Sequence, residues 1–398
     1  MIKEPRHFLF SLLAKTLNPI LEISIPEAVD YPLLYKTAVS HGISGLIYYP
    51  LKDLPVSDKI VLKQFEQDCV QTVVRSSEQQ YQLKIVIEAL TLHSINHVLM
   101  KGEVLRRIYP YPDMRQMGDV DILVNGDDLP LIHLLMKNIG FHFVSESENH
   151  HVFFKSSLMI EFHQKLMTAK NQVFDDFFQT AFEHTEKLQE STYQFTYEYH
   201  LVYLIAHIAK HFKSQGSGIR SVFDIAVYIN TYDFLIDYTL VGEYLDVIKL
   251  RQFFETILSL VKEWFHIESR TYEISSEINP DTLGDLTEFI VRCGTYGYSE
   301  EHRGDAVSIG IEAKTKNQSI QKGRIAYIMR LAFPKPSALK YKYKYLEKYP
   351  YLVPIAWINR FFNLIFKRKN KKRRIKNVFT KDQDIKKMMK LYKEIGLL

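Results

Sequence analysis

Cysteine is nearly absent. Cys69 and Cys293 are the only two in 398 residues. So few and so far apart, they supply neither a disulfide framework nor a Cys-based zinc site, and they fit a reducing, cytoplasmic setting. Long apolar runs are missing too. The nearest candidate, YLVPIAWINRFF from Tyr351, is interrupted by Pro354 and Arg360, whereas roughly 18 to 20 apolar residues are needed to span a bilayer. The stretch MIKEPRHFLFSLLAKTL has an apolar centre, but Lys15 follows it and no small-residue cleavage site is evident. It reads as an amphipathic helix rather than a secretory signal. Basic charge is concentrated in one place: eight of the ten residues Lys367–Lys376 are Lys or Arg. Without them the chain is slightly acidic despite its net charge of +5. That excludes a broad nucleic-acid-binding surface, and a long nucleic acid is not an expected partner.

What is present is an ordinary globular composition, 46% hydrophobic and 24% charged, rich in Tyr and Phe. The length suggests two or three domains. Residues 1–95 carry apolar positions at three- and four-residue spacing and read as a helical region. From 96 the period changes. HVLM is a short strand ended by Lys101-Gly102, EVLRRIYP a short helix stopped by Pro110, and DVDILV a second strand. Asn125-Gly126-Asp127-Asp128 is a turn that offers a helix cap, and LPLIHLLMKNIG a helix stopped by Gly140. FHFVSE, HHVFFKS and LMIEFHQKL read as three further strands. The expected fold class is α+β, with a small mixed β-sheet core at 96–192. A helical domain at 193–320 and a helical tail with the basic segment at 321–398 complete the expected division.

The chemistry concentrates around GDVDILV. On a strand, Asp119 and Asp121 share one face while Val120, Ile122 and Val124 take the other. Two neighbouring carboxylates in an apolar run repel unless something positive lies between them. Paired acids of this kind hold divalent cations through oxygen. Upstream, Gly102 opens a helix whose first N–H groups are free, and its bare backbone admits an anion closely. In LMIEFHQ, Glu161 and His163 share the polar face of a strand. Glu161 is the candidate third metal ligand and possible base for an acceptor hydroxyl, and His163 a partner to the ligands. A phosphate-binding turn beside acids that bind metal is what nucleotidyl transfer requires. Lys101 and Arg115 are candidate phosphate contacts.

These residues resemble a family. MKGEVLRRIYPYPDMRQMGDVDILV is similar to the uncharacterised bacterial nucleotidyltransferases of the DNA polymerase β-like superfamily. The likeness rests on Lys101-Gly102, Tyr109-Pro110, Arg115, Asp119 and Asp121, and Glu161-x-His163. It extends to His207, His211, Arg220 and Asp224 in HIAKHF…IRSVFDI and to YPYLVPIAWINRFF. The resemblance implies a polymerase β-like core flanked by helices. It implies an enzyme of the EC 2.7.7 type that moves an NMP from an NTP such as ATP to a hydroxyl acceptor, with Mg²⁺ or Mn²⁺ as cofactor and pyrophosphate released. A saccharide or small-molecule acceptor, and a link to envelope polysaccharide synthesis, follow from the same likeness. The wider superfamily has Gly-Ser or Gly-Gly at the phosphate turn, whereas Glu103 follows Gly102 here; its carboxylate would repel phosphate unless it turns away. The alternative is a catalytically degenerate protein that binds nucleotide or a partner.

Two further features bear on function. His207 and His211 are one helical turn apart and could line a cleft; with no third ligand in view they do not make a zinc site. Arg220 and Asp224, also four apart, are expected to pair with each other. The amphipathic segment leading into the basic run, 357–376, suggests a weak contact with a membrane surface, placing a cytoplasmic protein peripherally at the inner membrane face.

Overall fold

The computed structural model describes residues 4–167, 172–214, 216–275, 278–294, 304–315, 319–334, 345–366 and 381–398, with 336, 339 and 343. The basic run Lys367–Lys376 lies outside them, as does most of the loop expected at 294–305. The chain divides into two compact units. One comprises Met1–His207 with Gly218–Leu283, the other Ile208–Ser217 with Gly284–Leu398.

The first unit opens with α1 (Glu4–Leu17), α2 (Tyr31–Ser40), α3 (Ser44–Lys52) and α4 (Lys59–Leu92). α4 runs 34 residues without Pro or Gly, and Asp58 starts it by accepting from Ile60 and Val61 N–H. Its later turns carry Leu83, Val86 and Leu90 into the core of the sheet region. Buried Gln79 pins it there: Nε2 donates to the Ser157 carbonyl at 3.1 Å.

A seven-stranded mixed sheet follows. Its strands are β1 (His97–Leu99), β2 (Val120–Val124), β3 (His142–Glu146), β4 (His150–Lys155), β5 (Leu158–His163), β6 (Thr185–Gln189) and β7 (Thr192–Phe195). The order is β3-β4-β5-β2-β1-β7-β6. β5–β2 and β1–β7 are parallel and the other pairs antiparallel. The first five strands match the sequence expectation. β6 and β7 do not; they extend the sheet beyond β1, in a stretch where no strand was expected. TEKLQ is almost wholly polar and exposed, and TYQF is four residues long, so neither carries the apolar alternation that announces a strand.

Between β1 and β2 lies α5 (Gly102–Ile108); after β2 comes α6 (Leu129–Asn138). The turn at 126–128 forms, but Asp128 caps α6 without a side-chain hydrogen bond. Gly140, at φ +83°, follows α6 as expected. Apolar residues of β2 and β5 (Val120, Ile122, Ile160, Phe162) pack with α6 and the end of α4 into one buried cluster. α7 (Gln172–Phe178) precedes β6. After β7 the helical period returns with α8 (Tyr197–Ser214), α9 (Ile219–Tyr232), α10 (Tyr238–Val247) and α11 (Arg251–Phe265).

The second unit is helical among its described residues. Ile309, Tyr327 and Ile385 form one small core, and Leu339, Tyr343, Leu346, Val353 and Ala356 another. Ile355 and Ile358 are exposed on the helix Val353–Phe366. Among the described residues, no helix is long and apolar enough to cross a membrane.

Candidate active site

Register brings the site together. In the parallel β2–β5 pairing Asp121 stands opposite Glu161 and Leu123 opposite His163. In the antiparallel β4–β5 pairing His150 stands opposite His163. Directly paired residues point to the same face of a sheet, and residues two apart share a face. Asp121, Glu161, His163 and His150 therefore share one side. Asp119, immediately before β2, is two residues from Asp121. The opposite side carries the apolar cluster, which forces the acids outward from it.

The contacts are close. Asp121 Oδ1 accepts from Lys101 Nζ at 2.8 Å and lies 2.7 Å from His163 Nε2. The same His163 nitrogen lies 3.4 Å from Glu161 Oε2, which is 3.8 Å from His150 Nε2. Lys101 occupies a left-handed backbone conformation, φ 45°. A non-glycine residue there is strained, by about 1–3 kcal/mol. Its ammonium also sits 5.7 Å from the Tyr203 ring centroid on α8.

The electrostatics follow from this packing. Burial alone would raise the Asp121 carboxyl, but Lys101 and His163 overcome it and hold it well below the ordinary carboxylate range. Asp119 goes the other way. Burial, then the neighbouring charges of Asp121 and Glu161, push it up to about 6 against the pull of Lys101 and His163. No hydrogen bond or ion pair holds Asp119 among the described residues. For Glu161, burial is again outweighed, by the hydrogen bond to His163 and the charge of His150, and its carboxyl is lowered. Burial opposes the charge on His163, yet Asp121 and Glu161 raise it. The Tyr203 hydroxyl is pushed up to about 12, first by burial.

The turn at Gly102 is not a bare glycine loop. Arg115 Nη1 lies 2.6 Å, and Met117 Sδ 2.9 Å, from where a Cβ on Gly102 would stand. Gly102 thus makes room for a guanidinium. Arg115 is fixed from behind: Nε and Nη2 donate to the Asp224 carboxylate on α9 at 3.0 and 2.7 Å, and the Tyr109 hydroxyl donates to it at 2.5 Å. Asp224 therefore pairs with Arg115 rather than with Arg220, correcting the expected i, i+4 pair; Arg220 instead donates to the Gln116 carbonyl at 2.8 Å. Tertiary packing brought a better partner than the neighbouring helical turn. Glu103 does turn away. Its buried carboxylate meets Arg106 at 2.5 Å and Arg107 at 3.7 Å.

Lys101, Asp121, Glu161 and His163 are thus joined by direct contacts, and Gly102 and Arg115 pack against each other. His207 and His211 lie on α8 and belong to no group of three possible metal ligands among the described residues. Sequence reading missed His150, whose place depends on the β4–β5 register, and His200. The latter is fully buried on α8 and pushed down to about 3 by burial and the charge of Arg115.

Residues 27–266 match the family model described as uncharacterised nucleotidyltransferase. The chain belongs to this nucleotidyltransferase family. No curated protein and no solved structure matches it. The match spans every residue of the site, from Lys101 to Asp224, and it points to transferase chemistry on a nucleotide. It stops short of the helices after 266.

Proposed function

We propose that the chain is a divalent-metal-dependent nucleotidyltransferase of the EC 2.7.7 type with a polymerase β-like core. The observation that carries this reading is the surplus negative charge around Asp119. Three acids share one face against the single ammonium of Lys101 and the His163 ring, and Asp119 is pushed up to about 6. Such a group is stabilised by a cation, and these carboxylate oxygens suit Mg²⁺ or Mn²⁺. Asp119, Asp121 and Glu161, which share a face but do not converge as a ready three-ligand group among the described residues, would hold the metal, which when bound neutralises the triphosphate and supplies Lewis-acid charge at the reacting phosphorus.

The protein's own groups do the rest. Lys101 and Arg115 supply cationic N–H donors to the phosphates; Asp224 and Tyr109 hold Arg115 in position. Glu161 takes the proton from the acceptor hydroxyl. The hydroxyl oxygen forms a bond to the α-phosphorus of the NTP, the bond to the bridging oxygen breaks, and pyrophosphate leaves. A saccharide or other small hydroxyl compound is the acceptor class this reading favours, in keeping with the slightly acidic body of the chain. Exposed Ile355 and Ile358 on the helix before the basic run support a peripheral contact with an anionic membrane at the cytoplasmic face.

Thermal unfolding with each NTP in turn, with and without Mg²⁺ or Mn²⁺, tests the reading. Ligand at 100 times its dissociation constant stabilises by about 2.7 kcal/mol, a midpoint shift of a few degrees. The expected result is a metal-dependent shift with one NTP, lost in the Asp119→Ala/Asp121→Ala double variant. No shift with any NTP would overturn nucleotide binding, and a shift kept by the double variant would overturn the site.

A further inference from the structure

Three side chains of the acid-bearing face form a ligand set that the nucleotidyl-transfer reading does not use as such. His150, Glu161 and His163 each offer one ligand atom, and these atoms lie within 4.8 Å of one another. They are the one such group among the described residues. The strands create it: His150 is the direct partner of His163 across β4–β5, and Glu161 is two residues before His163 on β5. The imidazole centroids stand 5.1 Å apart at 46°.

Two of the three spacings approach that of ligands around a single ion. Two atoms bound tetrahedrally at zinc–nitrogen and zinc–oxygen distances are about 3.4 Å apart. Here Glu161 Oε2 is 3.4 Å from His163 Nε2 and 3.8 Å from His150 Nε2. The cluster is reachable. The His150 side chain is 30% exposed and that of Glu161 19%, while His163 is buried behind them. The donor set is two nitrogens and one oxygen. Imidazole suits zinc-class ions, whereas Mg²⁺ prefers an oxygen shell. Three protein ligands leave the fourth position of a tetrahedral ion for water or substrate oxygen.

We propose that His150, Glu161 and His163 form a binding site for a divalent transition ion of the zinc class. The inference rests on the transferase reading only in sharing Glu161; the ion would bind without nucleotide. Binding uses the lone pair of His163 Nε2, so the neutral ring carries its one proton on Nδ1 and the contact with Asp121 is given up. Lys101 remains as the partner of Asp121.

The test is calorimetric titration of the full chain, stripped of metal and free of nucleotide, with Zn²⁺ and separately with Mg²⁺. One equivalent of Zn²⁺ should bind at least 100-fold more tightly than Mg²⁺. His150→Ala, at a half-buried position on β4, should weaken Zn²⁺ at least tenfold. Absence of stoichiometric Zn²⁺ binding overturns the proposal, as does Zn²⁺ affinity unchanged in a folded His150→Ala. A Co²⁺ titration gives a second readout. Absorption bands of a tetrahedral nitrogen–oxygen site should appear in wild type and vanish in His150→Ala; bands that persist would also overturn it. Failure of the transferase reading shows elsewhere, as absence of any NTP-dependent thermal shift, so the two outcomes are separable.

Discussion

Arg115 and Asp224 stand 109 residues apart in sequence and are joined by two hydrogen bonds of 3.0 and 2.7 Å. Both side chains are about nine-tenths buried. The pair fastens the loop before β2 to α9 and so fixes where the guanidinium meets Gly102. Removing one partner leaves a buried charge uncompensated, which costs about 3–5 kcal/mol. Arg115→Ala and Asp224→Asn should each lose about 3 kcal/mol in urea unfolding, and the double variant clearly less than the sum. Full additivity would show that the two do not interact.

Gly102→Ala tests the close approach. A Cβ there would stand 2.6 Å from Arg115 Nη1 and 2.9 Å from Met117 Sδ, and Asp224 prevents the guanidinium from swinging freely. Overpacking of this kind costs about 1–3 kcal/mol. The same substitution in an Arg115→Ala background should cost less than half as much. An equal cost in both backgrounds would assign the glycine to Met117 or the backbone instead.

Lys101→Met removes the ammonium facing Asp121. At pH 7 the variant should lose up to about 3 kcal/mol, because a buried charge loses one of its two partners and keeps only His163. With Lys101 gone, His163 alone opposes burial and the Asp121 carboxyl rises, so the deficit is largest at neutral pH and narrows as pH falls toward 4. Denaturant unfolding at pH 7 and pH 5 checks the direction. A deficit that widens on acidification would contradict the pairing.

His200 sets a pH dependence of its own. Its folded value is about 3 against an ordinary 6.5, because burial and Arg115 disfavour the charged ring. The unfolded chain therefore binds the proton first. The stability tied to neutral His200 is complete above 6.5 and is lost as pH falls below it, at up to about 1.4 kcal/mol per pH unit. His200→Gln should flatten the stability profile between pH 6.5 and 4.5 relative to wild type. Parallel profiles would place the titration elsewhere.

Alternation in DVDILV and LMIEFHQ by itself determined that Asp121 and Glu161 lie on polar strand faces, because a strand's period of two cannot put them with Ile122 and Phe162. The same local logic placed α5, α6 and the five strands through His163, since each has its own apolar period or its own Gly or Pro stop. β6 and β7 had no such signal: their pairing partners, not their side chains, make them strands. Register decided the rest. That Asp121 faces Glu161, that His150 reaches His163, and that Asp224 takes Arg115 in place of Arg220 all depend on which chain segments meet across tens of residues. Local periodicity fixes the side of an element on which a group lies. Only the packed sheet and helices fix what stands opposite it, and hence which charges are paired, which are buried, and which await a cation.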